Sequence, residues 1–98
     1  MLIAGPGISS REEDRAVTSS DLMPTLIDLA GLAQQPEVDG RSLTTLLAGG
    51  SEWTERDLIW HYPHYSHQGG PPASAIRSGA YKYLEYYEDG HRELYNLE

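Results

Sequence analysis

The sequence predicts an α+β fold: one buried helix plus a short helix, followed by a small antiparallel sheet of three to four strands. Three observations predict it. Apolar residues recur at helical spacing between Asp21 and Gly31, in two neighbouring stripes, Leu22/Leu26/Leu29 and Met23/Ile27/Ala30. A Gly49-Gly50 pair then closes the helical half. Beyond it, short runs rich in β-branched and aromatic residues alternate with turn signals.

Each element has its own local reason. Leu2-Ile3-Ala4 is apolar and is stopped by Gly5-Pro6-Gly7, which reads as the end of a strand and a turn. A start in mid-strand implies a chain cut from something longer. Ser9 to Arg15 reads as an exposed loop, and its Glu12, Glu13 and Asp14 as a solvated run rather than a paired-acid site. With Asp21 as N-cap, Pro24 falls at N3, where the helix needs no backbone N–H. Gly31 ends that helix as its C′ residue. Ala33 to Gly40 reads as a loop containing Pro36 and an Asp39-Gly40 turn. Ser42 then caps a short helix through Leu43, Leu46 and Leu47.

The second half reads as a meander. Leu58 to Tyr62 is a strand and Ser74 to Arg77 another. Ser78-Gly79 is a two-residue turn signal, Tyr81 to Tyr86 a third strand, and Glu88-Asp89-Gly90 a turn into a short fourth at Glu93-Leu94-Tyr95. Alternation puts Tyr81 and Tyr83 on one face and Lys82, Leu84 and Tyr86 on the other, with Leu84 on the core side. Lys82 is expected to pair with Glu85 or Glu93.

Composition narrows the function. The 98 residues allow one small domain's worth of core, and there is no cysteine, which excludes disulfides and thiolate sites. A formal net charge of −8 argues against nucleic acid as a partner. No apolar run is long enough to cross a membrane. Every aromatic is Tyr or Trp, so each carries a polar handle suited to half-wet surfaces and sugar-facing sites.

The stretch from Trp60 to Pro72 concentrates the candidate chemistry. It holds His61, His64 and His67 among aromatics and ends in Gly69-Gly70-Pro71-Pro72. It reads as a strand running into a rigid aromatic loop. Three imidazoles can hold a zinc ion, but the loop has no carboxylate of its own to orient them. A cleft-facing loop using His64 and His67 is the alternative, and structural packing the third. Arg77 is a base suited to an anionic sugar. Tyr81, Tyr83, Tyr86, Tyr87 and Tyr95 form either a stacking platform or the half-buried face of the sheet.

The order of signals resembles the C-terminal part of a sulfatase, of the arylsulfatase type in the alkaline phosphatase superfamily. The resemblance rests on Leu2-Ile3 with Pro6-Gly7, on Asp21-Leu22-Met23-Pro24-Thr25 with Leu29-Ala30-Gly31, on Asp39-Gly40-Arg41-Ser42-Leu43 with Leu46-Leu47, on Ala75 to Lys82, and on Glu93-Leu94-Tyr95-Asn96-Leu97. It implies that residues 1–48 end the sulfatase N-terminal α/β domain and that 49–98 form its C-terminal antiparallel-sheet subdomain. It implies a parent enzyme that hydrolyses sulfate esters of a sulfated carbohydrate, using calcium and a formylglycine residue. The Cys/Ser-x-Pro-Ser-Arg motif that yields formylglycine is absent here, so this chain is expected to hold no catalytic residue, metal or cofactor. Its partners would be the N-terminal catalytic part and, through it, the sugar. Its own share would be structure and one edge of the substrate pocket, with His64, His67 and Arg77 as the substrate-binding candidates. The chain alone is expected to be inactive and, with its leucine stripe uncovered, to self-associate. The family's settings are periplasmic, secreted or lysosomal. The rival readings are a non-catalytic carbohydrate-binding module and a His-rich metal-binding domain.

Overall fold

The computed structural model describes residues 1–33 and 37–98. They form two compact units, Met1–Thr54 and Glu55–Glu98. The Pro36 part of the expected loop lies outside the described residues.

The first unit is helical. A 3₁₀ turn at Ser19–Asp21 leads directly into α1, Leu22–Leu29, and α2 spans Thr44–Leu47. Residues 2–4 form no strand, because a strand needs a neighbour to take its backbone bonds and none pairs with them among the described residues. Both helices end in the same way. Gly31 (φ 66°) donates to the Asp28 carbonyl and Leu32 to that of Ile27; Gly49 (φ 85°) donates to Leu46 and Gly50 to Thr45. These are Schellman closures, in which a left-handed glycine lets the last carbonyls find donors.

The start of α1 corrects the expected cap. The Asp21 side chain does not cap the first turn of α1. Its carboxylate instead accepts the Thr18 N–H (2.9 Å) behind it and the Arg41 N–H (2.7 Å) from the segment before α2. Thr25, one turn on, donates its hydroxyl to the Asp21 carbonyl (2.5 Å) and accepts the Leu43 N–H (2.9 Å). Asp21 is 0% and Thr25 1% exposed. A polar stripe therefore faces inward, with Pro24 buried beside it. The expected apolar stripe does not: Leu22, Leu26 and Leu29 are 37%, 64% and 52% exposed. The Gly40–Leu43 segment crosses the Asp21/Thr25 side of α1, so burial goes to the residues that can satisfy its backbone.

Gly40 is a close-approach glycine rather than a turn glycine. Its φ is not positive, and it passes directly over the Ser20–Asp21 peptide. Ser42 is not the expected cap: α2 starts at Thr44 with Leu43 as its N-cap and no side-chain cap bond, and the Ser42 hydroxyl accepts the Thr44 N–H at 3.3 Å from one residue further back. Leu43 and Leu46 are the buried apolar residues of this unit. Arg41 donates to the Thr54 carbonyl (2.8 Å) and lies over the Trp53 ring.

The second unit is a four-stranded antiparallel sheet in the order β1-β2-β3-β4: Leu58–Tyr62, Ala73–Ser78, Tyr81–Tyr86 and Arg92–Asn96. Register sorts its faces. One carries the rows Leu58/Arg77/Lys82/Tyr95 and Trp60/Ala75/Leu84/Glu93; the other carries Ile59/Ile76/Tyr83/Leu94 and His61/Ser74/Glu85/Arg92. Because Ser78 pairs with Tyr81, the β2–β3 turn is Gly79-Ala80 and not Ser78-Gly79. Gly79 at φ 54° supplies the positive φ that a two-residue hairpin of this kind needs at its first position. Glu85 pairs with Arg92 across β3–β4 at 3.0 Å; Lys82 lies on the opposite face, so the pleat rules out the expected Lys82–Glu85 pair.

Candidate functional site

A meander places alternate connections at the same end of the sheet. The β1–β2 loop, 63–72, and the β3–β4 loop, 87–91, therefore lie side by side. That end gathers all four histidines of the chain, either on these loops or on the strand residues next to them.

The long loop is built around a small ring of backbone bonds. Ser66 N–H donates to the Gly70 carbonyl and Gly69 N–H back to that of Ser66, both at 2.9 Å. The Ser66 hydroxyl accepts the Gln68 N–H at 3.1 Å. Gly69, at φ 87°, closes the tip. His64 and His67 are exposed on this loop, and the His64 ring meets Tyr62 edge-on at 6.3 Å between centroids.

The neighbouring loop reaches onto it. Tyr87 N–H donates to the Pro72 carbonyl at 2.9 Å. The Tyr87 hydroxyl lies 2.8 Å from His61 Nδ1 and in close contact with the Ser74 hydroxyl, which itself lies 3.0 Å from the same nitrogen. The His61 and Tyr87 rings are tilted against each other at 5.7 Å. The negative charge of Glu88 holds the Tyr65 hydroxyl above its ordinary pKa, helped by desolvation and by a hydrogen bond between the two.

A second cluster lies on the Trp60 face. Glu93 accepts from the Tyr86 hydroxyl (3.0 Å), from His91 Nε2 (3.3 Å) and from the Tyr95 hydroxyl. The Tyr95 and Tyr86 bonds, opposed by desolvation and aided by His91, hold the Glu93 carboxyl below the usual carboxylate range. The same bonds raise both phenols. The Tyr86 and His91 rings stack at 5.6 Å.

The expected binding residues divide between two ends. His64 and His67 share the aromatic end. Arg77 pairs with Leu58 beside the Gly79-Ala80 turn, four residues along β2 from the loop, or about 13 Å at strand spacing. No group of three His, Cys, Asp or Glu side chains able to hold a metal ion occurs among the described residues. A carboxylate does reach the histidine loop, but from Glu88 of the other loop, to a tyrosine. The sequence suggests Tyr87 only as one of five candidate platform tyrosines, Glu88 as a turn residue and Glu93 as a partner for Lys82, and none of their contacts with the histidines. The signal was available in the topology, since the loops that odd-numbered hairpins of a meander make must share an end.

In the first unit, a groove of about 470 Å³ is lined by Leu2, Ile3, Ile8, Leu43 and Leu46, and by the acidic run. Glu13 there is not simply solvated: it bridges Arg11 (3.2 Å) and Arg15 (3.3 Å). Desolvation raises its pKa, but the bonds to Arg11 and to the Arg15 N–H, with both charges, bring it down overall. These charges satisfy one another and leave no convergent donor set for a ligand.

Comparison with known proteins agrees with this architecture. The family described as N-sulphoglucosamine sulphohydrolase, C-terminal, matches residues 1–98. A Δ4,5-hexuronate-2-O-sulfatase of Bacteroides thetaiotaomicron is 35% identical over 98% of this chain and 21% of its own length. Arylsulfatase K of Mus musculus is 37% identical over 88% of this chain and 17% of its own. A solved 2-O GAG sulfatase superposes with a TM-score of 0.73 at 30% identity, over 96% of this chain and 21% of that one. The chain thus spans about a fifth of the length of the curated relatives it matches.

Proposed function

This chain belongs to the sulfatase family, as its N-sulphoglucosamine sulphohydrolase C-terminal region, and from that membership we propose that it serves an enzyme hydrolysing sulfate esters of a sulfated carbohydrate. The observation that carries the proposal is the match over residues 1–98, supported by relatives whose names specify hexuronate and GAG sulfates. In this proposal residues 1–48 end the enzyme's α/β domain and residues 49–98 form its sheet subdomain. The sheet subdomain supplies structure and one edge of the substrate pocket. His64 and His67 are the residues proposed to touch the sugar there, and Arg77 a more distant part of it.

Sulfatases use formylglycine and calcium, and the residues present here fit neither. There is no Cys/Ser-x-Pro-Ser-Arg motif in the sequence, and no set of metal-binding side chains converges among the described residues. Both are proposed to come from an N-terminal catalytic part, and no step of the reaction is assigned to this chain. What its residues offer is binding: imidazoles and phenols donating to sugar hydroxyls and sulfate oxygens, and ring faces for the sugar's C–H surface.

The experiment is sulfate release from a panel of sulfated mono- and disaccharides, compared between the intact protein and residues 1–98 alone. Release by the intact protein and none by 1–98 is the expected result. Turnover by 1–98 alone, or none by the intact protein on any sugar, overturns the proposal.

A further inference from the structure

The residue that holds the histidine loop in place is on a different loop. The 63–72 loop is tied within itself only near its tip, by the Ser66–Gly70 ring. Tyr87 ties its β2 end and braces the strands that lead into and out of it. Tyr87 N–H donates to the Pro72 carbonyl, and the Tyr87 hydroxyl meets His61 Nδ1 on β1, with the Ser74 hydroxyl of β2 completing a triangle. The next residue, Glu88, carries a negative charge that acts on the Tyr65 hydroxyl, next to His64. Tyr87 thus fastens the loop where it enters β2 and braces the β1 residue two positions before it begins.

We propose that Tyr87 is a positioning residue, which holds the 63–72 loop in the geometry that presents His64 to the sugar. The proposal rests on the reading of that loop as an edge of the substrate pocket. Its physical basis is entropic. A ten-residue loop with few internal bonds loses conformational freedom on binding, and restraints made in advance reduce that loss. The Tyr87 hydroxyl is suited to the role because it satisfies an imidazole and a serine hydroxyl at one point. The Tyr87 ring tilted on His61 keeps the hydroxyl there. Tyr87 does not have to touch the sugar, so its loss should weaken binding without changing the bond-breaking step.

The test uses the intact protein with Tyr87→Phe, and His64→Ala as reference. Phe keeps the ring contact with His61 and removes only the hydroxyl. Two readouts are taken: hydrogen–deuterium exchange of residues 63–72, and kinetics on a 2-O-sulfated unsaturated uronate disaccharide or, if it is not a substrate, on the sugar of the panel hydrolysed fastest. Tyr87→Phe is expected to exchange faster in 63–72 than elsewhere in the sheet. Its KM should rise about three- to tenfold, the range one or two lost hydrogen bonds produce, with kcat within about twofold. Unchanged exchange in 63–72 overturns the clamp. Faster exchange with unchanged KM, while His64→Ala raises KM, overturns the positioning role. An unchanged KM in His64→Ala overturns the pocket-edge reading beneath it, whatever the exchange shows. Absence of sulfate release from every sugar overturns the sulfatase proposal, and is distinguishable from all of these.

Discussion

Gly40 passes so close to Ser20 that a Cβ built on it would stand 1.9 Å from the Ser20 carbonyl oxygen. The obstacle is backbone at the entrance to α1, where the Asp21 N–H donates to the Thr18 carbonyl and the Asp21 carboxylate accepts the Thr18 and Arg41 N–H groups, so it cannot give way cheaply. Gly40→Ala should therefore separate the Gly40–Leu43 segment from α1. We expect a loss of about 3 kcal/mol or more, at the upper end for overpacking, read as a fall in the denaturant midpoint of the intact protein. Gly31→Ala provides a contrast: nothing stands within 4 Å of its Cβ, so its cost comes only from the positive φ. Equal losses at the two glycines would show that close approach is not what constrains Gly40.

Thr25 makes a second, independent test of the same junction. Its hydroxyl donates to the Asp21 carbonyl and accepts the Leu43 N–H in a place without access to water. Thr25→Val keeps the shape and strands that N–H. The expected cost is about 1–3 kcal/mol, the range for a buried polar group left unpaired. Thr25→Ser should restore most of it, because the bonds return and only a methyl is missing. A Ser variant no better than Val would place the stabilisation in packing rather than in hydrogen bonding.

This junction also shows where sequence patterning stops being informative. The sheet was legible because alternating runs such as Leu58–Tyr62 and Tyr81–Tyr86 are bounded by glycine turns, and period-two patterns have one register that fits. The α1 helix was legible as a helix, with its end at Gly31. Which side it buries was not. Leucines at helical spacing mark an apolar stripe whether or not anything covers it, whereas Asp21 and Thr25 look solvent-facing until the backbone of Arg41 and Leu43 arrives to use them. For the candidate site, the histidine loop stands out in composition. Its partnership with Tyr87 depends on side-chain geometry that no periodicity encodes.

The Glu93 cluster predicts a pH dependence for the sheet unit. Its folded pKa is lowered, chiefly by the hydroxyls of Tyr95 and Tyr86. Its stabilisation is therefore fully present above the carboxyl's unfolded pKa, about 4.3, and is lost as pH falls through the lower folded value. Urea midpoints measured downward from about pH 6 should fall less steeply in Glu93→Gln than in the parent. The same variant has an alkaline signature. Tyr86 and Tyr95 are raised by this carboxylate, so in an absorbance titration of tyrosinate their ionisation should move to lower pH when its charge is removed. Tyr65, raised by Glu88, should stay where it is. Coincident titrations for parent and variant would contradict the cluster.

The exposed leucines of α1 predict association of the isolated chain. Leu22, Leu26 and Leu29 lie on one side of the helix, with Leu32 65% exposed just beyond it. A contiguous apolar patch on a small unit favours self-contact. Residues 1–98, prepared alone, should show a mass that rises with concentration by light scattering. Leu26→Glu should return it toward the monomer, since a charge in that patch resists desolvation. A monomer at every concentration, with or without the substitution, would contradict the prediction.

The distance along β2 between the histidine loop and Arg77 gives the final prediction. His64 belongs to the loop end, while Arg77 sits next to the Gly79-Ala80 turn about 13 Å away, too far for both to grip one sulfated sugar ring. In the intact enzyme, His64→Ala should raise KM for a sulfated disaccharide about three- to tenfold, as a lost hydrogen bond to substrate would. Arg77→Ala should leave that KM within about twofold and raise it only for longer sulfated oligosaccharides, whose further anionic groups can reach the far end of the sheet. Salt separates the two effects, because an Arg–sulfate contact at an open surface is screened while a short hydrogen bond between sugar and the His64 ring is less so. If both variants weaken the disaccharide equally, the sugar does not lie at the loop end as proposed. If His64→Ala changes neither turnover nor KM, the loop is scaffold and its aromatics are packing.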